Sequence, residues 1–243
     1  MSRNDQDRDE DVRQHSGWLI PLVVFVVTAG LSALFLLFYL VPVPTSFIEE
    51  HPTPTTLTDP VSLRVGALKF TVPANYIVYR SARQGGERKE VSLFALLPDL
   101  RGYSAWEAQA FNDNSADSPV VYILIREERL NLPESERLKR IYMDYVTDPN
   151  GKPGPFGLTQ YTFRDDSGYG GEDLLVGHRG QQIVVMRCWR FSADVSSPGC
   201  LRDKRLGDNV AMTYRFKRAN LAQWQDIARG IDALITGFET RAK

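Results

Sequence analysis

The chain has 243 residues, 43% hydrophobic and 24% charged, with 29 basic against 30 acidic groups. That mixture excludes a mostly disordered or low-complexity chain, and the near-zero balance excludes the basic field that sequence-independent nucleic-acid binding needs. With a membrane segment and a linker subtracted, the length leaves room for one ordinary domain.

Residues 1–17 form a short tail in which Arg3, Arg8 and Arg13 stand among Asp5, Asp7, Asp9, Glu10 and Asp11. Residues 18–41 follow as a transmembrane helix. Leu19 to Val41 is 23 residues without a charge, about 35 Å as helix at roughly 1.5 Å per residue, which exceeds a hydrocarbon core of about 30 Å. The lipid bilayer is therefore the first partner, taken through residues 19–41. Trp18 and Tyr39 supply rings for the two headgroup layers, and Pro21 lies in the first turn, where its missing donor matters little. Three arginines precede the run and no Lys or Arg follows it until Arg64, so the positive-inside rule places the amino terminus in the cytoplasm. An acidic start, a long apolar run and a poor cleavage site argue for an uncleaved signal anchor over a cleaved signal peptide.

Residues 42–60 hold Pro42, Pro44, Pro52, Pro54 and Pro60 with several threonines, a composition that denies helix and reads as an extended stalk. His51 within it is a solvated side chain. Beyond the stalk, residues 61–243 are expected to form an exported α+β domain. Alternation and short apolar runs predict strands at Ser62–Val65, Leu68–Val72, Tyr76–Tyr79, Glu90–Leu97, Val120–Glu127, Thr159–Arg164, Glu172–Val176, Gln181–Phe191 and Asn209–Phe216. Short connections favour antiparallel neighbours.

Two stretches are predicted as helices. Glu134–Val146 puts Leu138, Ile141, Tyr142 and Tyr145 on one face. Leu221–Phe238 carries a long stripe of Trp, Leu and Ile, with Asn220 and Gln223 placed like a capping box. The second helix is amphipathic and is expected to pack on the mainly antiparallel sheet.

Pro98–Pro119 is a long irregular stretch carrying Tyr103, Trp106 and Phe111. These three rings either form a binding surface or fold back as a small satellite core. Cys188 and Cys200 are the two cysteines of the chain, separated by a Ser-Ser-Pro-Gly turn. In an oxidising compartment they are expected to form a disulfide, worth about 3 kcal/mol on chain-entropy grounds.

Asp165, Asp166, Glu172 and Asp173 surround glycines. Their spacing does not match a helix-loop-helix calcium loop, and a solvated hairpin tip is the simpler reading, so no metal is assigned. No phosphate loop, dinucleotide fingerprint, zinc spacing or haem attachment is present, so no cofactor is assigned. His178 is the histidine of the folded region, and a membrane-tethered hydrolase would have to pair it with a nearby carboxylate. The favoured reading is a single-pass protein of a Gram-negative inner membrane, its amino terminus cytoplasmic and its carboxy-terminal domain periplasmic. That domain would act as a binding or assembly module for an envelope protein partner, not as a catalyst.

Overall fold

The structure, a computed structural model, describes residues 17–40, 50–130 and 132–240. Most of the tail (1–16), Val41, the first part of the stalk (42–49) and the Tyr39 side chain lie outside the described residues. The chain divides between Glu50 and His51, and each part is taken by itself.

The described residues of the first part form one helix, α1 (Leu19–Leu40). Its Leu19–Phe38 stretch has a mean hydropathy of 2.6. Such a helix is long and apolar enough to cross a membrane.

The second part is α+β. β1 (Pro60–Val65), β2 (Leu68–Pro73) and β3 (Gly86–Arg88) form a small sheet in the order β2-β1-β3. The large sheet takes β4 (Glu90–Leu96), β5 (Val120–Glu127), β6 (Lys152–Pro153), β7 (Thr159–Thr162), β8 (Glu172–Arg179), β9 (Gln182–Trp189), β10 (Gly199–Gly207) and β11 (Val210–Lys217). Their order is β4-β5-β11-β10-β9-β8-β7-β6, and every pairing is antiparallel. β6 through β11 run as a meander that ends beside β5, so residues 128–151 carry the chain from β5 to the far edge. Short helices α2 (Ala108–Asn112) and α3 (Glu134–Arg140) interrupt these strands, and α4 (Trp224–Phe238) closes the domain.

Alternation sorts the side chains. In β9, Val184, Met186 and Cys188 face the main core, while Val185 and Ile183 face a second cluster on the other side. α4 lays Trp224, Ile227, Ala228, Ile231 and Ile235, all buried, on the inner face of the sheet. Gly177 of β8 makes room for this helix: a Cβ there would lie 2.5 Å from the Trp224 ring and 2.7 Å from Leu158. Gly177→Ala is therefore expected to destabilise the domain by about 1–3 kcal/mol through overpacking, read as a drop in the unfolding midpoint. The outer face carries two satellite clusters, one around Tyr142, Phe163 and Leu174, the other around Val78, Phe94 and Phe111.

Four local expectations are corrected. Tyr76–Tyr79 is not a strand: a 3-10 turn at Ala74–Tyr76 leads into a single bridge between Ile77 and Leu93. Ile77 and Val78 are buried toward different clusters, which gives the run its strand-like composition. Glu134–Val146 is not one helix. It breaks at Ile141 (φ −123°, ψ −65°), after which a 3-10 turn carries the chain to the sheet, where Val146 bridges Phe163. The carboxy-terminal helix starts at Trp224 after a 3-10 segment, and the Asn220 amide donates to the Ser118 carbonyl instead of capping it. Finally, Gly199–Gly207, where no strand is predicted, is the strand β10.

β10 explains how a strand can be so charged. It pairs with β9 over three positions only, Cys200 to Cys188, Leu201 to Arg187 and Arg202 to Met186. Beyond them the strands part, and the Glu134 carboxylate of α3 enters from the outer side. It accepts from the Val185 N–H (3.1 Å), Arg202 Nε (2.8 Å) and Arg202 Nη2 (2.7 Å). Arg202 is fully buried, and its Nη1 donates to the Tyr214 hydroxyl at 3.3 Å. On the inner side Asp232 of α4 accepts from Lys204 Nζ and Arg179 Nη2, both at 2.7 Å.

Burial pushes the Tyr214 hydroxyl up to about 12, against the opposing pull of Arg202. Tyr76, Tyr122 and Tyr142 are raised by burial too. A raised folded value means that stability is complete below the unfolded value, about 10, and is lost as pH climbs from there through the folded value. The melting temperature is thus expected to fall between about pH 10 and 12. Tyr214→Phe should flatten that fall, as a pH series of melts would record.

Candidate functional site

The stretch after β4 builds a groove. The chain reverses at Pro98–Leu100, with Leu100 at φ 54°, and Leu96 and Arg101 exchange backbone hydrogen bonds across the turn. It then runs beside the start of the 3-10 turn at 74–76. The Tyr103 N–H donates to the Asn75 carbonyl at 2.8 Å, and Asn75 Nδ2 donates to the Tyr103 carbonyl at 3.1 Å. Gly102 permits this approach, since a Cβ there would sit 2.7 Å from Asn75 Nδ2. Tyr76 fastens the turn through its hydroxyl, donating to the Leu100 carbonyl at 3.0 Å.

Next comes a single 3-10 turn, Ala105–Glu107. Ser104 Oγ donates to Glu107 Oε2 at 2.9 Å, and Arg101 meets Glu107 at 2.7 Å. So held, the turn presents Trp106 at 98% exposure. Beside it lies an open groove of about 880 Å³, walled by residues of this turn, by Asn75 and Tyr76, and by Thr56 and Thr58. Residues 51–59 have no regular structure. They are tied to the domain where the Thr53 N–H donates to the Val78 carbonyl and Arg83 Nη2 donates to Thr53 Oγ1.

The three rings singled out in the sequence part company. Phe111 is buried at 7% exposure, packed edge-on against Phe94 and Tyr103, so it belongs to a satellite core and leaves the surface. Tyr103 is half-buried and joins that cluster to the groove. Trp106 alone of the three stands in solvent. Alternation within the run could not separate them, because each ring's fate depends on the tertiary path of the loop.

Cys188 and Cys200 form a disulfide, with both sulfurs fully buried on the inner face. The acidic stretch does not gather into a cation cage, because each carboxylate faces an arginine. Asp165 lies 3.6 Å from Arg190, Asp166 3.4 Å from Arg164, Glu172 2.8 Å from Arg187 and Asp173 2.6 Å from Arg218. Among the described residues no group of three or more His, Cys, Asp or Glu side chains converges. His178 is exposed near the end of β8, opposite Ile183, whereas Glu172 begins the strand opposite Trp189. Six positions at roughly 3.3 Å each put them about 20 Å apart, so His178 and Glu172 do not meet.

No protein-family model matches the chain, and no curated protein matches it in sequence. Among solved structures, Smlt3025, an immunity protein of the Stenotrophomonas maltophilia type IV secretion system, is similar at a TM-score of 0.53 and 17% identity. That match covers 76% of this chain and 94% of the other. The Neisseria meningitidis iron-regulated outer membrane lipoprotein FrpD aligns at a TM-score of 0.46 and 14% identity, over 78% and 96%. The first of these likenesses establishes a shared fold, and only that.

Proposed function

We propose that the chain is a single-pass envelope protein, anchored in the inner membrane through residues 19–41, whose periplasmic domain binds a protein partner. The observation that carries this reading is Trp106, bare at the lip of an open groove on a turn braced by Ser104, Arg101 and Glu107. Tryptophan is enriched among the residues that dominate binding energy. Burying a ring of this size against a partner contributes on the order of 3 kcal/mol. The apolar helix α1 and the buried disulfide support an anchored domain in an oxidising compartment. The fold shared with a secretion-system immunity protein supports an envelope role, and makes a component of such a system the first partner to test.

The test is a photo-crosslinking residue placed at position 106 in cells, with the exposed Lys139 of α3 as the control position. A discrete adduct from 106 that is absent from 139 is the expected result. Identical band patterns from the two positions, or none from 106, would remove the groove from the account.

A further inference from the structure

The outward-pointing side chains of β5, β11, β10 and β9 lie between the two satellite clusters. One rung crosses this strip: Tyr122 pairs with Arg215, Arg215 with Leu201, and Leu201 with Arg187. Tyr122 is 51% exposed, Arg215 is exposed and Leu201 is partly so. Three interstrand spacings of about 4.8 Å make the strip about 14 Å wide, enough for one extended segment or one helix.

Its charge is lopsided. Across these four strands the outward positions carry Arg126, Arg187, Arg205, Arg215 and Lys217, against Asp203 alone. Asp203 is already engaged: it accepts from Thr213 Oγ1 at 2.6 Å and faces Arg137 and Arg187 at 3.8 and 3.9 Å. Three of the five cations meet carboxylates from neighbouring segments, Arg126 with Glu128, Arg187 with Glu172 and Arg205 with Asp208. Among the described residues Arg215 has no carboxylate partner, whereas Lys217 is engaged: its Nζ donates to Asn114 Oδ1 and to Ser197 Oγ, both at 2.7 Å, and its charge acts on Asp113. Apolar groups are set between the cations, with Leu201 beside Arg215 and Trp189 45% exposed at the end of β9. Arginine and large rings side by side are the composition of protein-binding hot spots, more than of a surface that merely attracts anions.

We infer that this strip docks an acidic segment of a partner protein, a carboxylate on Arg215 and an apolar side chain over Tyr122 and Leu201. The inference rests on the reading that the domain binds a protein, but uses a face other than the Trp106 groove. It predicts affinity that weakens with salt, as exposed charge pairs do.

The test uses the full chain in detergent micelles and a display library of short random peptides. Peptides rich in Asp and Glu with one ring or Leu should be enriched. Arg215→Glu should bind them at least about tenfold more weakly, Arg215→Gln less so, and Trp106→Ala should bind them as before. Unchanged melting temperatures would show that both Arg215 variants fold. Enrichment of neutral or basic peptides, or acidic peptides that bind Arg215→Glu equally well, would overturn the inference. So would phosphatidylglycerol vesicles that need Arg215 while no acidic peptide does, since the strip would then serve lipid. Loss on Trp106→Ala alone would return the peptides to the groove, leaving the proposed function standing and this inference not.

Discussion

Glu134→Ala is expected to lower the stability of the domain by about 3–5 kcal/mol, because it strips a fully buried guanidinium of its carboxylate. Arg202 has 0% exposure and directs Nε and Nη2 at Glu134. Its remaining contacts, the Tyr214 hydroxyl at 3.3 Å and Asp232 at 3.9 Å, are too long to replace that pair. The backbone N–H of Val185 loses its acceptor as well. Such a loss is a large fraction of the stability of an ordinary domain. Denaturant unfolding of the full chain in detergent would measure it. The double variant Glu134→Leu with Arg202→Met should recover much of the loss, since apolar replacement of a whole buried pair is often close to neutral. A cost under about 1 kcal/mol for Glu134→Ala would mean that the pair does not hold β9 and β10 in place.

Removing the disulfide comes second in size. Cys188 and Cys200 face each other across β9 and β10, 12 residues apart, beside the short ladder that ends where Glu134 enters. Freeing that loop in the unfolded state is expected to cost about 3 kcal/mol. The Cys188→Ala, Cys200→Ala variant, or the native chain with reductant, should therefore unfold at a clearly lower denaturant midpoint. Equal midpoints with and without reductant would show that the bridge adds nothing to stability.

What the sequence made legible was whatever repeats along the chain. The uncharged run 19–41, the alternation in β5 and β9, and the Trp224-to-Ile235 stripe each announce an element through periodicity alone. β10 was illegible because Arg202, Asp203, Lys204 and Arg205 stand in succession and look like a solvated loop. Arg202 and Lys204 are tolerated in a sheet because Glu134 and Asp232, 68 and 28 residues away, neutralise them from opposite faces. No local pattern encodes that meeting. The candidate site was half legible: the cluster of rings marked the loop, but only the path from Asn75 to Tyr103 decides that Phe111 is buried and Trp106 bare. The strip around Arg215 escaped notice for the same reason as β10, since it gathers charges from four strands whose order in the sheet is not their order in the chain.

Every functional reading rests on the domain standing outside the cytoplasm while α1 holds it to the membrane. Protease treatment of spheroplasts, followed by alkaline extraction of their membranes, tests this most directly. Added protease is expected to remove residues beyond the stalk without lysis, and the untreated chain to stay with the membrane after extraction. A chain cleaved only after lysis, or one released from the membrane as a shortened soluble domain, would contradict it.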